Sequence, residues 1–309
     1  MPFGKPLKSA VHHWWPQSLS KAWADESDRV TRLTPKGETL CGPPGNFGGM
    51  KNAHAIKFSD DSPWNGSFES VFDGADNAFP VLTAWLLSLE TKPAGRRKSF
   101  SDRLLSLRLE QARKRQLAEC LSSLIVRSPW SRNKIRLGAQ SSYHADGFMD
   151  WKPDKNLIAA NMAHTHPVFR RHIAGGGKFV VMRAEKGEFI CGDGFLHSFP
   201  STPDRPLSPR CLIPLLPEIT VLYFQPLHYF TYPELLTISL RKEEVDECNV
   251  IVQIYSRDYL FYRKEAPVMN HAFRGGQFLE LTYHEHAGIE ALMAAALNCR
   301  MSSREAGAA

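Results

Sequence analysis

The chain lacks the cysteine spacing and the long apolar runs that mark several classes of protein. Its six cysteines lie far apart and include no CxxC pair. The sequence therefore predicts neither the disulfide framework of a small secreted protein nor a structural zinc site, and we interpret the cysteines as reduced thiols in a cytosol. Polar residues interrupt the most apolar stretches, such as 79–89, well before the roughly 18 residues that a membrane span requires. No apolar signal segment follows Met1, so we expect a cytoplasmic protein that does not span a membrane.

Motifs that identify a reaction or a cofactor are also missing. The sequence contains no GxSxG, HExxH or P-loop motif. The glycine- and proline-rich stretch 41–49, CGPPGNFGG, has neither the GK[ST] ending nor the GxGxxG spacing of a phosphate-binding loop, so we interpret it as an irregular loop. No RNA-binding, zinc-finger or helix-turn-helix pattern is present. The sequence therefore assigns no cofactor, and the cofactor is unknown at this level.

The sequence does contain enough apolar residues for one large core. Of its 309 residues, 43% are hydrophobic, and burial per residue rises with chain length. Helical and strand patterns are mixed without a regular strand–helix alternation, which predicts an α+β fold with a mostly antiparallel sheet. We expect a single domain over about 11–300, helical at about 78–175 and strand-rich at about 176–265, between an irregular lead-in at 1–10 and a polar tail at 301–309.

The N-terminal part is predicted to form a short helix and a hairpin. The segment 18–24 has the pattern of a helix. The turn TPKG at 34–37 separates two strand-like segments, 29–33 and 38–40, because proline presets the backbone of a turn and glycine supplies positive φ. A hairpin is therefore expected before the loop at 41–49.

Three amphipathic helices are predicted in the middle of the chain, at about 80–89, 101–126 and 154–172. Pro80 would occupy the first turn of the first helix, where proline is tolerated. Ser101 or Asp102 would cap the second helix, whose apolar residues recur at helical spacing. The third helix would be kinked or restarted at Pro167 and ended by the glycines at 175–177.

The C-terminal half is predicted to be rich in strands. The segments 178–184 and 188–191 flank a Glu-Lys-Gly turn and form the clearest antiparallel hairpin in the sequence. The segment 243–262 is ambiguous and favours a helix at its beginning. Further strands are expected at about 210–215 and 219–224, and a last helix at about 284–297.

The N-terminal segment 12–24, which begins His-His-Trp-Trp-Pro-Gln, resembles the opening of the domain-of-unknown-function family 4238. That family is described by an N-terminal histidine, two residues and a proline, and His13 and Pro16 stand at those positions. The resemblance implies an order of segments along the chain, and it implies no activity.

Two later segments extend the resemblance to most of the chain. Phe189 to Asp193, followed by the proline-rich segment 206–209, is similar to the family's strand that leads into a serine, aspartate and proline turn, and 249–261 is similar to its asparagine-headed terminal segment. This chain departs from the pattern because Gly192 replaces the serine and Gly194 with Phe195 replaces the residues before the proline.

Three residues are candidates for acid–base or metal chemistry: His13, Gln17 and Asp193. Histidine has an ordinary pKa that suits proton transfer near neutral pH, and the Gln17 amide, one turn into the following helix, could orient the imidazole or a substrate. Asp193 follows a predicted strand, a position from which a carboxylate can bind a metal or orient a histidine. The structural alternatives stay open: His13 could hydrogen-bond a turn fixed by Pro16, and Asp193 could accept hydrogen bonds from turn amides.

Basic residues are clustered at 96–98, 113–115 and 170–171, and the formal net charge is +6. A positive surface raises the local concentration of polyanions. Nucleic acid or another polyanion is therefore a candidate partner, with Arg113, Lys114 and Arg115 on the polar face of the second helix as the substrate-binding residues. The alternative is a solvated surface whose charge only prevents self-association.

Two HxH pairs, His164 with His166 and His284 with His286, fall in predicted helices. Side chains two residues apart diverge on a helix, whereas zinc needs three or four convergent ligands. The sequence therefore predicts no metal site.

Two functions from different classes are consistent with these features. In the first, the protein is a hydrolase acting on a polyanion such as nucleic acid, with His13 as acid or base and Asp193 as metal ligand or orienting group. In the second, it is a non-catalytic binding or structural module whose basic face binds a polyanion or an acidic protein. Catalysis requires His13 and Asp193 within a few ångströms of each other at a pocket, so their positions discriminate between the two.

Overall fold

The structure of the chain is a computed structural model that describes residues 11–56, 66–95, 98–147, 155–199, 209–226, 232–278 and 285–300. Helices and mostly antiparallel strands are mixed in it, so the predicted α+β fold is confirmed. The predicted lead-in at 1–10 and tail at 301–309, together with Arg96, Arg97 and His284, lie outside the described residues. Within the described ranges, no helix is both long and apolar enough to cross a bilayer.

The strands in the described part of the chain are β1 (Val11–His13), β2 (Val30–Leu33), β3 (Thr39–Gly42), β4 (Gly49–Lys51), β5 (Ala55–Ile56), β6 (Gly66–Ser67), β7 (Leu105–Leu107), β8 (Lys178–Ala184), β9 (Cys191–Gly192), β10 (Leu196–His197), β11 (Arg210–Leu216), β12 (Ile219–Phe224), β13 (Leu235–Leu240) and β14 (Leu260–Tyr262). The helices there are α1 (Gln17–Ser20), continued by a 3-10 turn (Lys21–Trp23), α2 (Asp73–Ser88), α3 (Phe100–Arg103), α4 (Gln111–Arg127), α5 (Pro129–Ala145), α6 (Lys155–Gly175), α7 (Lys242–Ile254), α8 (His271–Arg274) and α9 (Ala287–Asn298).

A six-stranded sheet in the order β10-β11-β12-β8-β13-β7 separates two hydrophobic cores. Its neighbouring strands are antiparallel except β8 and β13, which run parallel. Alternate side chains of a strand point to opposite faces, so Phe179 and Val181 pack with residues of α2, α4 and α6, whereas Val180 and Met182 pack with residues of α7 and α9. Burial on both faces explains why β8 and β12 are almost continuously apolar.

A second sheet, in the order β3-β2-β14-β9, joins the N-terminal segment to the C-terminal half. Phe261 of β14 lies against Trp15, with ring centroids 4.5 Å apart, and against Trp14 at 6.1 Å. The short strands β1 and β4 pair beside this cluster, with His13 opposite Gly49. The tryptophans that follow β1 therefore fix its position on the second sheet.

Several local predictions are confirmed. The β2–β3 hairpin forms as expected, and the strands expected at about 210–215 and 219–224 form as β11 and β12, which pair with each other. Helix α6 forms and ends at Gly175 as predicted, but it is not restarted at Pro167, through which it continues. The segment 243–262 begins with a helix, α7, as predicted, and β14 follows. Each of these segments carries its own periodicity or turn signal.

The predicted hairpin of 178–184 with 188–191 is wrong. Strand β8 forms, but its partners are β12 and β13. Strand β9, which ends the second segment, pairs with β14 in the other sheet. The amide of Phe189 donates to the carbonyl of Pro217 instead of to β8, because the buried apolar strand β12 satisfies that edge of β8 along its full length.

The predicted helix at 101–126 is also wrong in extent. Ser99 and Asp102 form a capping box on the short helix α3, and the chain then enters β7, which pairs with β13 at the edge of the large sheet. The helix resumes as α4 only at Gln111. Pairing at a sheet edge outweighs the moderate helix propensity of 105–107.

The helix predicted to begin at Pro80 begins at Asp73. Its buried residues recur at helical spacing on both sides of the proline: Ala75, Phe79, Leu82 and Leu86. Pro80 itself is exposed. The apolar face of the helix therefore holds it on the core through the proline, despite the hydrogen bond that proline cannot donate.

Candidate functional site

His13 ends β1 with one ring nitrogen uncommitted. The side chain is partly buried, and its Nε2 atom is buried with no hydrogen-bond partner among the described residues. Its carbonyl oxygen lies 3.5 Å from Nη1 of Arg127, which ends α4. His13 thus has a buried ring nitrogen that no described residue engages, which leaves it available for proton transfer.

Gln17 begins α1, directly after the buried Pro16, and is exposed. Its amide nitrogen lies 3.5 Å from the position that a Cβ atom on Gly45 would occupy. The side chain therefore lies over the glycine- and proline-rich loop at 41–49, from which it is available to a ligand on that surface.

Asp193 is almost fully buried, at 1% exposure, and its carboxylate holds a turn. Oδ1 accepts a hydrogen bond from the amide of Arg257 at 2.8 Å, and Oδ2 accepts one from the amide of Asp258 at 3.0 Å. Burial raises the pKa of Asp193 to about 6, while these backbone hydrogen bonds oppose the shift. This arrangement matches the structural alternative, in which the aspartate satisfies turn amides.

The glycines on either side of Asp193 are required by packing. A Cβ atom on Gly192 would lie 1.8 Å from Oγ of Ser256, and one on Gly194 would lie 2.0 Å from the carbonyl oxygen of Tyr255. The turn thus approaches the end of α7 too closely for any side chain. This contact gives a physical reason for the glycines that stand where the resemblance to family 4238 leads one to expect other residues.

The turn from α4 to α5 connects the segments that carry His13 and Asp193. Arg127 approaches the His13 carbonyl on one side, and the amide of Trp130 donates to the Asp193 carbonyl at 3.2 Å on the other. Both segments therefore contact the α4–α5 turn, whereas the Asp193 carboxylate is hydrogen-bonded to the backbone of 257–258.

The basic residues predicted on α4 do not share one exposed face. Lys114 is buried and forms an ion pair with Glu234, with Nζ 2.5 Å from Oε1. The guanidinium of Arg113 lies 5.5 Å from the ring centroid of Trp85. Of the three, Arg115 alone is exposed. The predicted polar face is therefore wrong for Lys114, because its ionic partner lies on a segment 120 residues away in sequence.

A row of buried rings extends from β1 to α6. Neighbouring ring centroids are 5.0 Å apart for His12 and His54, 5.1 Å for His54 and Phe72, and 5.1 Å for Phe72 and His166. Sequence patterns pointed to His13 and gave no indication that His12 and His54 belong to this row.

His12 is held by both of its ring nitrogens. Nδ1 accepts a hydrogen bond from the amide of His54 at 3.0 Å, and Nε2 lies 3.4 Å from Oε2 of Glu69. The neutral tautomer with its proton on Nε2 satisfies both contacts. Burial lowers the pKa of His12, and the charge of Glu69 opposes that shift. His12 is therefore a structural residue in this arrangement.

His54 is neutral and carries two buried ring nitrogens with no hydrogen-bond partner among the described residues. Burial lowers its pKa to about 2, with further lowering by the charges of Arg127 and Arg132. The same cause, burial, lowers the pKa of His166, whose Nε2 lies 3.6 Å from Glu119. Unsatisfied buried nitrogens are uncommon in proteins and indicate room for a water molecule or a ligand.

Arg132 on α5 is a largely buried cation with no carboxylate partner among the described residues. Its Nη1 donates to the carbonyl of Ala53 at 2.7 Å and contacts Sδ of Met162 at 3.1 Å. Burial lowers its pKa to about 10, so it stays protonated at neutral pH. By contrast, Arg127 forms a two-bond ion pair with Asp76, at 2.6 and 3.1 Å.

Arg136 lies one turn after Arg132 on the same face of α5. Its guanidinium donates to Oδ1 of Asn133 at 2.8 Å and to Oε1 of Gln140 at 3.4 Å, and no carboxylate pairs with it in the described ranges. Neither α5 nor α6 contains an aspartate or a glutamate, and the two helices pack against each other. Arg132 and Arg136 are therefore two neighbouring cations without a carboxylate partner in the described ranges, on a helix that itself contains no acidic residue.

Sequence patterns did not predict α5 or the role of its arginines. The available signal was the segment 129–145, which combines a proline at the first helical position with three basic residues and no acidic one. The arginines and the lysine are separated by single residues, so no contiguous basic cluster marked them.

Histidine pairs in the described chain do not converge. On α6, His166 is buried and His164 is exposed, as expected for side chains two residues apart on a helix. His286 precedes α9. Within the described ranges, no group of three or more histidine, cysteine or acidic side chains is arranged to hold a metal ion.

No protein-family model, curated protein or solved structure matches the chain. The resemblance to family 4238 therefore stays a prediction.

Proposed function

We propose that the protein binds a polyanion, with nucleic acid as the first candidate, on the surface formed by α5 and α6. The observation that carries the proposal is the pair Arg132 and Arg136, two guanidinium groups one helical turn apart without a carboxylate partner among the described residues. Buried cations in proteins are normally paired, because desolvation of an isolated charge is unfavourable. A phosphate group would supply the missing anion and can accept two hydrogen bonds from one guanidinium.

The packing of these arginines favours binding. Hydrogen bonds to Ala53, Asn133 and Gln140 hold the two guanidinium groups before any ligand arrives. Ordering a long side chain on binding costs about 0.5–1.5 kcal/mol, and that cost is reduced here. Neither α5 nor α6 contributes an acidic residue, and Glu119 of α4, which contacts α6, is paired with Arg170, so repulsion of the ligand is small. A non-catalytic binding module is the function that these features support best.

Hydrolysis of the bound polyanion is the second candidate, supported by Nε2 of His13, which has no hydrogen-bond partner among the described residues. In that case His13 acts as acid or base and Gln17 orients the substrate. Asp193 would be a positioning residue, because its carbonyl oxygen accepts a hydrogen bond from the Trp130 amide and so holds the α4–α5 turn. Its carboxylate hydrogen bonds to Arg257 and Asp258 give no support to a direct role in proton transfer.

Binding is tested by fluorescence anisotropy with labelled single-stranded RNA, single-stranded DNA and duplex DNA. Titrations of the wild type and of Arg136→Gln at about 50 and about 200 mM salt give the slope of log K against log salt concentration. We expect Arg136→Gln to weaken binding to all sequences alike and to reduce that slope by about 1. Arg136 is a suitable target because its hydrogen bonds are to residues of its own helix.

Two control variants remove the same charge elsewhere. Arg115→Gln tests the helix predicted from the sequence, and Lys36→Gln alters the exposed turn of the β2–β3 hairpin. Salt-dependent binding that Arg136→Gln reduces and Lys36→Gln does not supports the proposal. Absence of binding, or equal losses in all three variants, refutes it, and a loss confined to Arg115→Gln transfers the site to α4.

Hydrolysis is tested by incubating the wild type and His13→Ala with the same labelled nucleic acids, with and without Mg²⁺, Mn²⁺ or Zn²⁺. Cleavage that is lost in a folded His13→Ala variant establishes the catalytic function. Retention of the nucleic acid without cleavage leaves the binding module as the function.

A further inference from the structure

A separate cavity lies between α7 and α9, on the face of the large sheet opposite to α4 and α6. It encloses about 330 Å³, within the range of roughly 300–1,000 Å³ that is typical of small-molecule sites. Its floor consists of buried apolar side chains from the sheet and the two helices: Met182, Leu240, Cys248, Ile251, Ile289 and Leu292. Burial raises the pKa of the Cys248 thiol to about 12, so this thiol is neutral and the floor carries no charge.

The mouth of the cavity is acidic although the chain as a whole is basic. Glu247 and Glu285 line it and are exposed, and neither pairs with a basic side chain in the described part of the chain. The carboxylate of Glu247 lies directly over the first turn of α9, where a Cβ atom on Gly288 would be 2.5 Å from Oε2. The glycine therefore allows this carboxylate to stand at the entrance.

A third carboxylate at the same mouth is already neutralised. Glu244 accepts hydrogen bonds from the buried guanidinium of Arg103 at 2.6 and 2.9 Å and from Arg241 at 2.5 Å. A shallower hollow lined by Glu243, Glu244 and Glu247 adjoins the cavity. The charge at the entrance therefore comes from Glu247 and Glu285, which have no basic partner among the described residues.

We infer that this cavity binds a small organic amine, with an aromatic or alkyl body on the apolar floor and its ammonium group at Glu247 and Glu285. An apolar body gains by leaving water for the floor, and an ammonium group gains by lying between two carboxylates. A carboxylic acid of the same shape would place its charge against those carboxylates. The inference is independent of the polyanion proposal, because the two sites share no residue.

The experiment is isothermal titration calorimetry with tryptamine and with indole-3-propionate, which have the same ring and opposite charges. We expect tryptamine to bind at least about tenfold more tightly than the acid at low salt. Glu247→Gln should weaken tryptamine binding about threefold. Its matched control, Glu265→Gln, removes an exposed carboxylate that lines a different hollow and should leave the affinity unchanged.

A second pair of variants tests the location. Ala287→Phe places a ring at the mouth of the cavity, whereas Ala294→Phe places one two turns further along the same helix; both alanines are exposed, and Ala294 does not line the cavity. Loss of tryptamine binding in the first and retention in the second, with equal thermal stability of the two variants, supports the inference. Equal affinities for amine and acid, binding that survives Ala287→Phe, or no binding by the wild type overturns it.

Discussion

Replacement of His54 tests the electrostatic description of the buried ring row. The side chain is 1% exposed and lies between the rings of His12, Phe68 and Phe72. Its pKa falls from 6.5 to about 2, chiefly because of burial. The folded protein therefore keeps His54 neutral, while the unfolded chain takes up a proton as the pH falls below about 6.5. The stability associated with this residue is present above that pH and is lost progressively as the pH falls toward 2.

The magnitude follows from proton linkage. At about pH 5, one and a half pH units below the ordinary imidazole pKa, proton uptake by the unfolded chain lowers the free energy of unfolding by about 2 kcal/mol. At about pH 8 the same residue contributes almost nothing. His54→Phe removes the titration and two unsatisfied nitrogens while keeping an aromatic ring. The difference in unfolding free energy, variant minus wild type, should therefore be about 2 kcal/mol larger at pH 5 than at pH 8.

Urea denaturation at the two pH values, followed by circular dichroism, measures this change. The comparison of wild type with variant at each pH cancels the contributions of the histidines that do not contact residue 54. His164→Phe, which removes an exposed imidazole on α6, serves as the control and should show the same stability difference at both pH values. If the stability difference between His54→Phe and the wild type is also the same at both pH values, His54 is not held neutral by burial in the folded protein.

The turn at Asp193 provides two further predictions. Gly194→Ala should destabilise the protein by about 3 kcal/mol or more, because the added methyl group would lie 2.0 Å from the backbone oxygen of Tyr255; a thermal midpoint equal to that of the wild type would contradict this packing. Asp193→Asn should alter the pH dependence. Burial raises the folded pKa of Asp193 from 3.8 to about 6, so its favourable contribution is present below pH 4 and is lost as the pH rises through 6. Between about pH 4 and pH 7 the stability of the variant relative to the wild type should rise by about 3 kcal/mol. A constant loss applies at every pH, because the asparagine side chain can accept from only one of the Arg257 and Asp258 amides. A relative stability that is independent of pH in urea titrations would show that the carboxylate is not held as described.

The amino-acid sequence determined those elements whose signals are local. The β2–β3 and β11–β12 hairpins contain their own turn residues between apolar segments, and α6 shows a long helical pattern that ends in glycines. Mixed periodicities without a repeating strand–helix order also determined the α+β class. In these segments the information lies within a few residues of the structure that it specifies.

The tertiary structure decided which strands pair and which charges are neutralised. Strand β8 is apolar on both faces and could pair with any strand of similar pattern, so nothing in 178–191 indicated that β12 and β13 would be its partners. Lys114 follows the polar pattern of an exposed helix face, but Glu234, far along the chain, draws it into a buried ion pair. Arg132 and Arg136 belong to no contiguous basic run in the sequence, and that no carboxylate among the described residues pairs with them becomes visible only when the helices are packed. Pairing and neutralisation depend on partners that are distant in sequence, and local patterns contain no information about distant partners.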